Sequence, residues 1–195
     1  YQSLTSTYAA LALDVKDGQN VLDVCSAPGG KAIFVAEKNP TANVVACDIH
    51  PHRVELIGAY ARRMHVKNVT PTLFDGTAFN KEWAGHFDRV LCDVPCSAMG
   101  VVKKQPDVLL NRNENDIAAL KKVQYSILDN AKNYVKSGGV LVYSTCTIFK
   151  EENDDNVEEF LKNNNDFEKY PSEFDGQYLP CDTHDGFFIR RLRRK

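Results

Sequence analysis

Two cysteines close two strand-like runs. In "VLVYSTCT", residues 140–147, an apolar run turns polar at Ser144 and sets Cys146 among hydroxyls. In "RVLCDVPCS", residues 89–97, the same plan ends on Cys96. A thiolate is a strong nucleophile, but a free thiol of pKa about 8.5 is only roughly 3% ionised at pH 7. Bringing that pKa to about 7 takes roughly 2 kcal/mol of differential stabilisation. Lys31, oriented amides or the neighbouring hydroxyls could supply part of it. Such a thiol suits addition to an electron-poor ring. Adding to carbon 6 of a pyrimidine makes carbon 5 enamine-like and able to attack a methylsulfonium; a base then takes the carbon 5 proton, and elimination frees the thiol. Asp93 could hydrogen-bond the ring. Taken singly, a strand-end cysteine more often packs than reacts. Spacing does not say which of the two attacks.

The stretch "DVCSAPGGKA", residues 23–32, follows a strand and opens a helix. Gly29 and Gly30 allow close approach to the backbone, and a helix N-terminus offers free amides. Asp48 stands nineteen residues after Gly29, where a carboxylate can accept from ribose hydroxyls. The dinucleotide pattern G-x-G-x-x-G is absent. So is the phosphate loop G-x-x-x-x-G-K-[ST]: residue 25 is Cys where it needs Gly, and Ala32 replaces the hydroxyl. A nucleoside cofactor without phosphates, S-adenosylmethionine, fits better, with Asp75 placed to accept from its adenine amino group.

These residues need a scaffold that gathers them. Strand-like runs cover 20–26, 43–49, 69–75 (weakened by Pro71), 87–93, 140–145 and 186–192. Helical patterns lie between them, at 29–39, 51–64 and 153–163. Pro51 suits a first turn, and Val54, Ile57, Ala61 and Met64 share a face. A long helix is expected over 114–139, with Ile117, Leu120, Val123, Ile127, Ala131 and Tyr134 as its apolar stripe and Gly138 at its end. A leading helical segment is expected over 1–18. This alternation means an α/β domain with a parallel sheet, whose ligands lie beyond the carboxyl ends of the strands. Asp23, Asp48, Asp75, Asp93, Cys96 and Cys146 should then share one edge.

With 195 residues, 43% apolar and 26% charged, one domain with a full core is expected. No apolar run approaches the roughly 18 residues of a membrane span. Six cysteines without a Cys-x-x-Cys pair argue against zinc, and a chain of this size argues against a disulfide framework. No metal is expected, and a reducing, cytoplasmic setting is. The net charge of −2 does not advertise nucleic-acid binding. Basic residues nevertheless cluster at Arg62-Arg63 with Lys67, at Lys103-Lys104 and in the terminal "RRLRRK", offset by "EENDD" at residues 151–155.

The ordered set "LDVCSAPGGK", "DVPCSAMG" followed by "QPD", "VYSTCT...EEN" and "DGFF" resembles the RNA cytosine-5 methyltransferases, and within them the bacterial RsmB branch acting on 16S ribosomal RNA. The resemblance runs from about Gln19 to Phe188. It implies a Rossmann-like, S-adenosylmethionine-dependent methyltransferase fold with a mostly parallel seven-stranded sheet flanked by helices. It implies that the cofactor loop is Cys25, Ser26, Ala27, Pro28, Gly29, Gly30 and Lys31, with Asp48, Asp75 and Asp93 as cofactor-side acids. It assigns the attack on carbon 6 to Cys146 and product release to Cys96, with Lys31 and Asp93 beside the target base. Ser26 and Met99 depart from the residues frequent there, which bears on substrate detail. On this reading residues 1–195 form a single catalytic domain, a monomer, without the family's N-terminal RNA-binding region, and Lys103-Lys104 face RNA phosphates. A transfer-RNA substrate is an alternative. A nicotinamide-dependent oxidoreductase and a non-catalytic RNA-binding module are readings from other classes. The missing dinucleotide motif speaks against the first, and the joint presence of Cys96, Cys146, Lys31 and Asp93 against the second.

Overall fold

The structure, a computed structural model, describes residues 3–109 and 114–195. A helix α1 (Leu4–Ala12) precedes an alternation of strands and helices: β1 (Asn20–Asp23), α2 (Gly30–Lys38), β2 (Asn43–Asp48), α3 (Pro51–Arg63), β3 (Val69–Leu73), β4 (Phe87–Asp93), α4 (Glu114–Ala131), β5 (Val135–Thr145) and α5 (Asp154–Asn163). Three strands finish the chain: β6 (Phe167–Lys169), β7 (Gly176–Tyr178) and β8 (Phe187–Arg194). One sheet runs in the order β3-β2-β1-β4-β5-β8-β6, with β7 added against β8. β1 to β5 pair in parallel, and β8 runs antiparallel to β5, β6 and β7. Among the described residues the expected seven strands are the main path; the short β7 makes an eighth.

Strand order reverses between β1 and β4. From β1 the chain moves outward through β2 and β3, then returns to β4 on the other side. A crevice opens at such a point beyond the strand ends. Side-chain alternation builds a core on each face. Leu22, Val90, Cys92, Leu141 and Tyr143 pack with Ile127, Leu128, Val157 and Phe160 of α4 and α5. Val21, Leu91, Val140 and Val142 pack with Ala9, Ala32, Val35 and Ile57 of α1, α2 and α3. Burial on both faces explains the near-continuous apolar runs of these strands.

Several boundaries depart from the sequence reading. The leading helix stops at Ala12; Asp14 turns the chain at φ +49 and Gly18 at +72. Met64 lies outside the buried face of α3, which is Ile57 and Ala61. Pro71 is accommodated because β3 is an edge strand, where a missing amide costs no ladder bond. The long helix ends at Ala131 rather than continuing to residue 139, and residues 132–134 form a single tight turn. Tyr134 is fully buried there, accepting from the Asn80 amide at 2.8 Å and donating to the Ala78 carbonyl at 3.0 Å. Val135 then pairs with Phe87, so β5 starts five residues before Val140. Val123 is 42% exposed, and the inward face of α4 is Gln124, Ile127, Leu128 and Ala131. A polar residue has displaced an apolar one from the core, for a reason that lies in the site.

Candidate active site

β4 and β5 are parallel neighbours, and Asp93 pairs in register with Ser144. The two segments that follow therefore leave the sheet side by side. Cys96 Sγ and Cys146 Sγ lie 3.2 Å apart, and the Cys146 amide donates to Cys96 Sγ at 3.3 Å. Both thiols are free. The Cys96 hydrogen bond draws the Cys146 thiol below its usual range, with the Lys31 ammonium helping, against burial and the Asp93 charge. Cys96 is pushed the other way by its bond to Cys146 and by burial. The pair is thus polarised: ionisation is favoured at Cys146 and disfavoured at Cys96.

Lys31 Nζ reaches Asp93 Oδ2 at 2.6 Å, and the Ser144 hydroxyl donates to Asp93 Oδ1 at 2.7 Å. The ammonium also stands 5.5 Å from the centre of the Phe187 ring. Lysine, carboxylate and thiol so form one half-buried cluster at the mouth of the crevice. Asp23, beneath it, is 2% exposed, and neither of its oxygens has a hydrogen bond of good geometry. Burial pushes its carboxyl up to about 7, with the Ser26 hydroxyl as a partial offset.

Two cavities meet at this cluster. One, of about 530 Å³, is lined by Cys25, Ala27, Asp48, Ile49, Asp75, Thr77, Asp93, Cys96, Val123, Ile127 and Cys146. The other, of about 580 Å³, is lined by Ser26, Ala27, Pro28, Gly30, Lys31, Tyr60, Arg63, Asp93, Cys146 and Phe187. Ala27, Asp93 and Cys146 line both. In the first cavity Asp48 accepts from the His50 amide at 3.0 Å and pairs with Arg53 at 3.3 Å. Asp75 accepts from the Thr77 amide and hydroxyl at 2.9 and 2.7 Å.

The matching family model is described as 16S rRNA methyltransferase RsmB/F and spans residues 10–193. The chain belongs to that family. It is 39% identical, over its whole length, to a Bacillus subtilis protein named "Probable ribosomal RNA small subunit methyltransferase B", of which it covers 47%. The chain thus spans about half the length of the curated relatives it matches. Among solved structures it is similar to PH0851, with TM-score 0.94 and 31% identity over 99% of this chain and 46% of that one. It is also similar to NSun6 from Pyrococcus horikoshii, solved with SFG, with TM-score 0.86 and 27% identity over 99% of this chain and 52% of that one. The fold is the Rossmann-like fold of S-adenosylmethionine-dependent methyltransferases.

Within this RsmB/F domain the expected strand-end set divides. Asp48, Asp75, Asp93, Cys96 and Cys146 line the first cavity together, whereas Asp23 is sealed below. The glycine loop divides too: Cys25 faces the first cavity, Ser26, Pro28, Gly30 and Lys31 the second, and Ala27 both. Gly29 lines neither. Its φ is +106, a conformation that favours glycine, and an added Cβ would lie 3.3 Å from Ile57 Cγ2, so α3 would have to give by a few tenths of an ångström. Lys103 and Lys104 are taken up locally, by Asp182 at 2.9 Å and Asp185 at 2.6 Å. In the basic tail, Arg190 pairs with Asp154 at 2.8 Å and Arg194 with Asp166 at 3.3 Å.

Sequence reasoning missed what holds the thiols together. Glu152 is fully buried. Its carboxylate accepts from the Ser97 amide at 2.9 Å, from the Ser97 hydroxyl, and from Gln124 Nε2 at 2.8 Å. Gln124 also donates to the Pro95 carbonyl at 2.9 Å, and Ser97 shares a 2.8 Å hydroxyl contact with Thr147. This network ties the Cys96 loop to the Cys146 loop, and it is why Gln124 points inward from α4. The only signal was the "EEN" run at residues 151–153, which carries part of the resemblance and of the acidic cluster but does not by itself indicate a buried tie between the loops. Gly100 was missed as well. Its amide donates to the Cys146 carbonyl at 2.9 Å, and its carbonyl accepts from the Gly186 amide at 2.8 Å. An added Cβ would come within 2.3 Å of the Gly186 oxygen.

Proposed function

We propose that this domain methylates carbon 5 of a cytosine in RNA, with 16S ribosomal RNA as the substrate and S-adenosylmethionine as the methyl donor. The observation that carries the reading is Cys146, polarised by Cys96 and Lys31, at the junction of two cavities. A group that must meet two ligands belongs there. Membership of the RsmB/F family supports methyl transfer as the class of reaction and ribosomal RNA as its substrate.

The first cavity fits the donor. Ile49, Val123 and Ile127 give apolar walls for a purine, and Asp48 and Asp75 give acceptors for hydroxyl and amino groups. Of the three carboxylates in this wall, Asp48 is paired with Arg53 and Asp93 with Lys31, which leaves Asp75 to receive an amino group. The absent G-x-G-x-x-G pattern disfavours a nicotinamide dinucleotide. When bound, S-adenosylmethionine supplies an electrophilic methyl group. The chain supplies the rest. Cys146 Sγ adds to carbon 6 of the cytosine, and carbon 5 gains nucleophilic character. Asp93, anchored by Lys31 and Ser144, orients the ring through the exocyclic amino group. After transfer, loss of the carbon 5 proton lets the carbon 6–sulfur bond break. With Cys146 alkylated, the contact that raises Cys96 is lost; Cys96 gives its proton to solvent, takes the carbon 5 proton as a thiolate, and the electrons of the breaking carbon 6–sulfur bond return to Cys146. The base must be unstacked or single-stranded to enter, at a cost of a few kcal/mol.

The test uses the full-length protein and unmodified 16S ribosomal RNA. Mapping 5-methylcytosine should find one modified position, absent with Cys146→Ala. Cys96→Ala should accumulate a covalent protein–RNA adduct. Normal turnover by both variants overturns the two-thiol chemistry. Methylation of transfer RNA in place of 16S RNA overturns the substrate.

A further inference from the structure

The second cavity extends beyond the reacting cluster to α3. Tyr60 and Arg63, one turn apart, line it together with Lys31, Asp93 and Cys146. The Arg63 guanidinium stands 4.6 Å from the centre of the Tyr60 ring. Tyr60 is half-buried and Arg63 exposed, so the pair forms the outer part of the cavity wall. Among the described residues no carboxylate pairs with Arg63, whereas Lys103, Lys104, Arg190 and Arg194 all have one. Arg62 and Lys67 add exposed positive charge nearby in the chain. At about 580 Å³ the cavity holds more than one pyrimidine ring.

We infer that Tyr60 and Arg63 form a subsite for the nucleotide next to the target cytosine, with the neighbouring base stacked on this aromatic–guanidinium pair and its phosphate near Arg63. The inference rests on the RNA methyltransferase reading above and adds a substrate contact to it. A base splayed from single-stranded RNA finds its partners in aromatic rings and guanidinium planes, and stacking tolerates any base because every base has a π face. Holding the neighbour there would keep the target base extended into the cavity toward Cys146. The subsite acts on binding, since neither side chain belongs to the cluster around the thiols.

The experiment uses the full-length protein and short RNAs spanning the cytosine that the wild type methylates, intact or with an abasic residue on one side or the other. Tyr60→Ala should raise KM about five- to one-hundred-and-sixty-fold, the range for loss of one stacked base, with kcat at saturation little changed. Tyr60→Phe should behave as wild type. Arg63→Gln, at an exposed position that leaves the fold intact, should raise KM and flatten the slope of log affinity against log salt by about 0.7. One of the two abasic RNAs should reproduce the Tyr60→Ala defect in the wild type and cost nothing further in Tyr60→Ala. Independent, multiplicative losses from variant and abasic site, or an unchanged KM in both Tyr60→Ala and Arg63→Gln, overturn the subsite alone. A wild type that methylates no RNA overturns the functional reading, and the subsite with it.

Discussion

Cys96 and Cys146, 50 residues apart in sequence, meet with their sulfurs 3.2 Å apart because β4 and β5 are adjacent parallel strands in register. The same pairing puts the Asp93 carboxylate on the Ser144 hydroxyl and leaves its other oxygen to Lys31. The residues proposed as nucleophile, proton carrier and orienting acid thus come from one strand pair.

The polarisation of the pair is measurable by alkylation. A thiol reacts as its thiolate, so the rate rises with pH through the pKa. Cys146 is held below the ordinary range by Cys96 and Lys31. In a Cys181→Ser background, iodoacetamide should label Cys146 before Cys96, with a midpoint below that of a free thiol. The background matters because the exposed Cys181 is itself lowered to about 7 by bonds from Thr183 and the His184 amide. Lys31→Ala should move the Cys146 midpoint upward. Peptide mass spectrometry across pH 6 to 10 checks it, and a higher or unshifted wild-type midpoint contradicts the assignment.

Glu152→Ala should destabilise the fold by about 3 kcal/mol, since it leaves the buried Ser97 amide and Gln124 side chain without their acceptor. Glu152→Gln keeps an acceptor oxygen and should cost about 1 kcal/mol. Urea unfolding of the two variants measures both. Equal losses would mean that charge, not acceptor geometry, holds the two loops together.

Asp23 makes stability depend on pH. Its folded pKa is about 7, raised by burial, against about 3.9 in an unfolded chain. Between those values the unfolded state releases a proton that the folded state keeps. Stability therefore falls as pH rises from about 4 to 7, by up to about 4 kcal/mol from this group, and levels off above. Asp23→Asn should remove that slope and be more stable than wild type at pH 8. Urea midpoints at several pH values decide it; an unchanged slope would show Asp23 to be ionised in the fold.

Gly100→Ala places a methyl group against the Gly186 carbonyl and the Cys146 carbonyl, at 2.3 and 2.7 Å. Backbone on both sides cannot yield cheaply. A loss of about 3 kcal/mol is expected, together with displacement of Cys146 and a large fall in its alkylation rate. Gly138→Ala, in open space at φ +74, should cost far less and leave Cys146 reactivity unchanged. Thermal melts and the alkylation assay compare the pair.

Much was legible from residue order. Apolar runs such as Val140–Tyr143 and the glycine loop after β1 mark strands and turns through local chemistry. Alternation of strands and helices then implies a parallel sheet, and strand-end acids and thiols imply a ligand edge. Boundaries were less legible where local pattern and tertiary contact disagree. Gly138 suits a helix end, yet burial of Tyr134 and pairing of Val135 with Phe87 end the helix earlier. Val123 fits the apolar stripe, yet Gln124 takes the inward position because Glu152 and Pro95 offer it partners.

Residue types alone determined that two thiols, a lysine and four acids should gather where strands end, since that follows from element order and the period of the pattern. Only the tertiary structure decided that the thiols touch, that Asp23 is sealed off, that the glycine loop serves two cavities, and that Glu152 ties the loops. Those outcomes depend on distances between segments far apart in the chain, set by sheet register and close packing, which no local pattern carries.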